Sequence, residues 1–130
     1  MKRKPLILVV DDDQPILELM RSVLSEFGFE PATACSGEEA LAKAAKTRPD
    51  LVLLDIQMPG MSGEQVVERL RSDPTVDGVP ILMVSGHPMT GDEARALGAD
   101  GTVHKPFELS ALIDTIRKHL ARPMQVNDGQ

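Results

Sequence analysis

The sequence predicts a doubly wound α/β sandwich, a five-stranded parallel sheet covered by helices on both faces. Two alternating periodicities carry that prediction. Short runs that are apolar at every position, such as Leu6-Ile7-Leu8-Val9-Val10 and Leu51-Val52-Leu53-Leu54, suit strands buried on both faces. Between them lie longer segments whose apolar residues recur every three to four places, the spacing of an amphipathic helix. The alternation occurs five times in 130 residues, a length suited to one domain.

The elements follow in order. After the first run and an acidic triplet, Ile16, Leu17, Met20, Val23, Leu24 and Phe27 form one helical stripe that stops at Gly28. Residues 30–34 read as a weak second strand. Ser36 with Glu39 reads as a capping box for a helix carrying Leu41, Ala44 and Ala45, which ends near Pro49. The third strand, 51–54, leads into a Pro/Gly-rich turn. Ser62 with Gln65 then caps a helix using Val66, Val67 and Leu70, and Asp73-Pro74 breaks it. Ile81-Leu82-Met83-Val84 is the fourth strand, and Thr90 with Glu93 caps a short helix ending at Gly98. Thr102-Val103-His104 makes a minimal fifth strand, and Leu109, Leu112, Ile113, Ile116 and Leu120 stripe the last helix. With right-handed crossovers, five strands at this length favour the flavodoxin-like order 2-1-3-4-5. The domain is expected over residues 1–121, with the polar, aperiodic 122–130 a tail or the start of a linker.

Composition narrows the function classes. Hydrophobic content of 42% with 26% charged residues is ordinary for a globular chain. The formal charge of −6 argues against direct binding of nucleic acid or anionic lipid, whose ligands concentrate Lys and Arg. The one basic run, Lys2-Arg3-Lys4, reads as a solvated flank. A single cysteine, Cys35, allows neither an internal disulfide nor a thiolate metal cluster within the chain. No apolar run approaches a membrane span, and the N-terminus lacks the pattern of a secretory signal, so the expected compartment is the cytoplasm.

The chemistry gathers at the carboxyl ends of the strands, where ligands of open α/β sheets bind. Strand 1 ends in Asp11-Asp12-Asp13, strand 3 in Asp55, strand 4 in Ser85-Gly86 and strand 5 in Lys105-Pro106. In the order 2-1-3-4-5, Asp55 is central, with the acidic cluster and Ser85 one strand away on either side. Neighbouring strands lie about 4.8 Å apart, so these groups can converge. One Asp after a strand is commonly just a helix cap. A triplet facing a fourth carboxylate is different, because charges about 5 Å apart repel by roughly 3 kcal/mol at an effective dielectric of 20. A divalent cation removes that penalty. Mg²⁺ suits it, being held by one or two carboxylates with water and phosphate oxygens. A hydroxyl and an ammonium at Ser85 and Lys105 complete what a phosphoryl group needs, and Asp is a competent nucleophile for it.

These residues, Leu8-Val9-Val10-Asp11-Asp12-Asp13, Leu53-Leu54-Asp55-Ile56-Gln57-Met58-Pro59-Gly60-Met61-Ser62-Gly63, Met83-Val84-Ser85-Gly86 and His104-Lys105-Pro106-Phe107, resemble the response-regulator receiver family of two-component signalling. The resemblance covers about residues 5 to 121. It implies that Asp55 is the phosphoacceptor and that Asp11 and Asp12 hold Mg²⁺, Asp12 more directly, with the Gln57 backbone carbonyl as a further ligand. It also implies that Ser85 and Lys105 bind the phosphoryl oxygens, that Lys105-Pro106 is cis, and that His87, with Gln57, tunes phosphoryl lifetime. The partners it implies are a sensor histidine kinase or histidine phosphotransfer protein and a downstream protein reached through the helix 4–strand 5–helix 5 face. One position departs from the family. Receivers carry an aromatic residue in strand 5, three places before the Lys, and here it is Thr102 in a chain without Tyr or Trp.

Two other classes compete. A phosphatase of the haloacid-dehalogenase type, with Asp11 as nucleophile, uses a similar Asp, Ser/Thr and Lys set. Against it, Pro15 stands where that motif continues to Thr or Val, and the chain leaves little room for a substrate cap. An FMN binder fails because an acidic triplet repels a phosphate and no Trp or Tyr can cover a flavin. The expectation is therefore a phosphorylation switch, catalysing at most its own phosphorylation and dephosphorylation.

Overall fold

The computed structural model describes residues 3–87 and 89–121; the expected tail at 122–130 lies outside them. Strands β1 (Leu6–Val10), β2 (Glu30–Ala34), β3 (Leu51–Asp55), β4 (Ile81–Ser85) and β5 (Gly101–His104) alternate with helices α1 (Gln14–Glu26), α2 (Gly37–Thr47), α3 (Gly63–Ser72), α4 (Gly91–Ala96) and α5 (Leu109–Leu120). All four pairings are parallel and the order is β2-β1-β3-β4-β5, as expected.

The continuous apolar runs divide by parity between two cores, because successive strand residues point to opposite faces. Leu8, Val10, Val52, Leu54, Ile81 and Met83 pack with Ala40, Ala44, Val66, Val67 and Leu70, the buried stripes of α2 and α3, and with Ala94 of α4. Ile7, Val9, Leu51, Leu53, Leu82 and Val84 pack on the other face against Leu17, Met20 and Leu24 of α1 and Leu112, Ile113 and Ile116 of α5. Each side chain of this kind stabilises the fold by about 1.5–3 kcal/mol when fully buried.

The helix starts follow their caps, with one correction. Ser62–Gln65 and Thr90–Glu93 are reciprocal capping boxes. At α2 only half of the box forms. Ser36 Oγ accepts from the Glu39 N–H, but the Glu39 carboxylate reaches back one residue further, to the Cys35 N–H at 2.8 Å. Two stripe residues also differ. Phe27 is the C-cap of α1 and 42% exposed, its ring lying near the Arg117 guanidinium, because Gly28 (φ 93°) turns the chain before the ring can reach the core. On α2 the buried face runs through Ala40 and Ala44, leaving Ala45 exposed and Leu41 half-buried. Small residues let this helix lie close to the sheet.

Candidate functional site

Strand register places the site. Val10 pairs with Leu54, so Asp11, one step beyond β1, stands beside Asp55 at the end of β3. Asp11 and Asp55 are buried, with 4% and 6% of their surface exposed, while Asp12 is exposed. One carboxylate oxygen from each of Asp11, Asp12 and Asp55 lies within 4.8 Å of the others. Asp13 stands apart from this group and works as the N-cap of α1, accepting from the Ile16 N–H at 3.5 Å.

The turns orient the two buried carboxylates. Asp11 Oδ1 accepts from the Asp13 N–H at 3.0 Å, and Asp55 Oδ1 accepts from the Gln57 N–H at 2.9 Å. Their second oxygens share one cation: Lys105 Nζ lies 3.2 Å from Asp11 Oδ2 and 3.3 Å from Asp55 Oδ2. Lys105 thus spans the two strands between β5 and β1, as its length allows. Burial pushes the Asp11 carboxyl above the usual carboxylate range, and the neighbouring Asp55 charge adds to this. The Asp13 N–H and the Lys105 ammonium oppose them without cancelling the rise. For Lys105, burial works against the charged form, but the two carboxylates together outweigh it and hold its pKa above the ordinary lysine value.

Three carboxylates against one ammonium leave two negative charges unbalanced among these four residues. That donor set, all hard oxygens with one member open to solvent, fits Mg²⁺. Lys105 supplies the partial neutralisation otherwise.

Ser85 reaches the expected position at the end of β4, but its hydroxyl is engaged locally. It donates to the His87 carbonyl at 2.8 Å and accepts from the His87 N–H at 3.0 Å, closing a turn at the start of the β4–α4 loop. His87 and Gln57 are exposed at the rim. Lys105-Pro106 is cis, as the resemblance implied. Thr102 is half-buried on β5 and lines a surface cleft of about 260 Å³ between β5 and α5.

Gly63 and Phe107 also border this group of residues. Gly63 begins α3 directly under the turn that follows Asp55, where an added Cβ would lie 2.6 Å from Ile56 Cα and 2.8 Å from the Asp55 carbonyl oxygen. A helix-weakening glycine one residue inside a capping box was the available signal. Phe107 is half-buried and lines both the β5–α5 cleft and a cavity of about 20 Å³ beside Asp11 and Lys105.

With this geometry in hand, the relatives are informative. Residues 7–117 match the model of the response regulator receiver domain. The DNA-binding response regulator MtrA of Mycolicibacterium smegmatis is 43% identical over 118 residues, covering 89% of this chain and 50% of MtrA. The polar-differentiation response regulator DivK of Brucella anthropi is 34% identical over 116 residues, covering 88% of this chain and 94% of DivK. The solved structure of the Vibrio cholerae chemotaxis protein CheY4 superposes with a TM-score of 0.85 at 34% identity, covering 90% of this chain and 99% of that one. The chain spans about half the length of the MtrA relatives that it matches. Among the described residues, no helix is long and apolar enough to cross a membrane. The matched segment starts in β1 and ends in α5, taking in the whole sheet and every strand end that bears the site, and the chain therefore belongs to the response regulator receiver domain family of two-component signalling.

Proposed function

We propose that the unit formed by residues 1–121 is a Mg²⁺-dependent phosphorylation switch whose phosphoacceptor is Asp55. The observation that supports this best is the sharing of Lys105 between Asp11 and Asp55 beside an exposed Asp12. It is a site with surplus negative charge, one buried carboxylate at the sheet's centre and a partly exposed cation. Asp11, Asp12, Asp55 and the Gln57 carbonyl would hold Mg²⁺, which when bound supplies charge neutralisation for an incoming phosphoryl group. A carboxylate oxygen of Asp55 attacks the phosphorus of a phosphohistidine donor, the N–P bond breaks, and the released imidazole takes up a proton. Lys105 leaves the carboxylates to pair with one phosphoryl oxygen, and Ser85 exchanges its bonds at His87 for another. His87 and Gln57, exposed at the rim, stand where water approaches the acyl phosphate, so their side chains set how long it lasts.

The donor is a sensor histidine kinase or a histidine phosphotransfer protein, and the α4–β5–α5 face is read by the downstream partner. In this reading the chain works in the cytoplasm. DNA binding belongs to MtrA by that protein's name; we assign no nucleic-acid contact to this domain, whose charge is −6. Incubation with acetyl phosphate and Mg²⁺ tests the site. Wild type and Asp13→Ala should be labelled and Asp55→Ala should not. Label retained in Asp55→Ala and lost in Asp11→Ala would point to the phosphatase chemistry instead.

A further inference from the structure

Phe107 stands two residues after Lys105, on the short connection between β5 and α5. It lines two spaces of very different size. On one side is the cavity of about 20 Å³ below the acidic site, walled by Val10, Ile16, Met20 and Leu53 and reached by Asp11 and Lys105. On the other is the cleft of about 260 Å³ bordered by Thr102, His104, Ala111 and Thr115. Among the described residues, only Phe107 and Leu112 line both, and Leu112 is fixed in the core with 1% of its surface exposed. Phe107, half-buried, is the less constrained of the two.

We propose that Phe107 is the element that couples the phosphorylation site to the β5–α5 cleft: when Lys105 leaves Asp11 and Asp55, the Phe107 ring turns outward and fills the cleft. The inference rests on the phosphoacceptor reading, since the departure of Lys105 is its trigger. The volumes fix the direction. A space of about 20 Å³ holds little more than one water, whereas a phenyl-sized molecule is accommodated in about 150 Å³. Inward motion would collide with packed side chains, and overpacking a core is costly. Outward, Thr102, Val103 and His104 of β5 line the cleft, and the half-buried Thr102 is short and stiff at χ1, which with a volume of about 260 Å³ leaves room for the ring. Lys105 and Phe107 are joined through a single proline, so a shift of the Lys105 backbone is passed to Phe107 without a flexible linker. A partner at this face would then meet an aromatic surface in the phosphorylated state and an open, hydroxyl-rimmed groove in the other.

The chain has three phenylalanines and no Trp or Tyr, so fluorophenylalanine labelling gives three ¹⁹F resonances. Phe107→Leu assigns the one of interest. Adding Mg²⁺ and beryllofluoride should shift the Phe107 resonance and bring its ring into contact with the Thr102 methyl, while Phe27 and Phe29 stay in place. In Thr102→Met, whose longer side chain occupies the cleft, the Phe107 response should be lost while backbone amides around Asp55 and Ser85 still respond. A stationary Phe107 resonance beside responding amides at Asp55 would overturn the inference and leave the phosphoacceptor reading intact. So would a ring that moves unaltered in Thr102→Met, or one that gains contacts with Ile16 and Met20. No amide response at Asp55 would overturn both.

Discussion

Lys105→Met should tighten Mg²⁺ binding to the unphosphorylated domain. At an effective dielectric of 20, unit charges at the observed 3.2 and 3.3 Å attract by about 5 kcal/mol each. The Asp11 and Asp55 oxygens, within 4.8 Å of each other, repel by at least about 3.5 kcal/mol on the same scale. Lys105 therefore competes with any cation for the same two carboxylates. The full sum is not recovered on its removal, because the side chain is 31% exposed and can swing aside when a metal arrives. Solvent screening leaves about 1–2 kcal/mol, a gain in affinity of about five- to thirtyfold. Calorimetric titration with Mg²⁺ measures this directly, and Asp12→Ala should move in the opposite direction. Without metal the same variant should be less stable at neutral pH. Asp11 is already pushed up by burial, and Lys105 is one of the groups holding it down. Its pKa then rises further, so the stability deficit grows as pH climbs through that value and disappears below about pH 4, where the unfolded carboxylate is also protonated. Equal or weaker Mg²⁺ affinity in Lys105→Met would show that the ammonium is not a competitor and refute the reasoning.

Two further outcomes follow from the loops around the site. Gly63→Ala places a methyl against the backbone of Asp55 and Ile56, so urea unfolding should show a loss of about 1–3 kcal/mol together with slower uptake from acetyl phosphate; unchanged values would mean that the turn yields freely. Ser85→Ala should impair the backbone response of residues 85–95 to beryllofluoride, whereas Thr102→Ala should leave uptake and that response nearly unaltered. Amide shifts centred on β5 and abolished by Thr102→Ala would contradict this.

Much of the fold is legible because its signals are local. The parity of Leu6–Val10 and its counterparts assigns each strand residue to one of two cores, and the pairs Ser62–Gln65 and Thr90–Glu93 mark helix starts that occur as read. Glu39 shows the limit, since its spacing from Ser36 is right but the β2–α2 turn presents the Cys35 N–H instead. Phe27 fails for a related reason: helical spacing says which face a residue shares, not whether the chain turns away first. The acidic cluster, Asp55 and Lys105 are legible from strand ends alone. What Lys105 and Ser85 touch is not, because their partners, two carboxylates and the His87 backbone, depend on how the loops at the strand ends meet in space. The cleft beside Thr102 and the position of Phe107 depend on how side-chain volumes meet across β5 and α5, which no spacing in the sequence encodes.

The segment beyond Ser85 is where a local change costs least. Helix α4 has six residues and buries only Ala94, against three or four buried residues on each of the other helices. It is joined to β4 through exposed Gly86 and His87, and few buried contacts mean low local stability. Its start is held by the Thr90–Glu93 box, worth about 1 kcal/mol, and the loop before it by two hydrogen bonds to one serine hydroxyl. Net worth of such bonds is about 1 kcal/mol each. Turning Ser85 toward a phosphoryl oxygen gives up both and gains one charge-assisted bond of about 1.5–3 kcal/mol, so the exchange is close to balanced. A balanced exchange suits a switch, because the phosphoryl group then has only to tip it. Moving a population from 1:99 to 99:1 takes about 5.5 kcal/mol, more than the Ser85 exchange supplies. In the proposed switch the remainder comes from Lys105, whose two ion pairs are the other contacts that a phosphoryl group on Asp55 would redirect. Ser85 and Lys105 lead away from the site by different routes, one into α4 and one through Pro106 and Phe107 to α5, and these flank β5 on the face proposed to meet the partner.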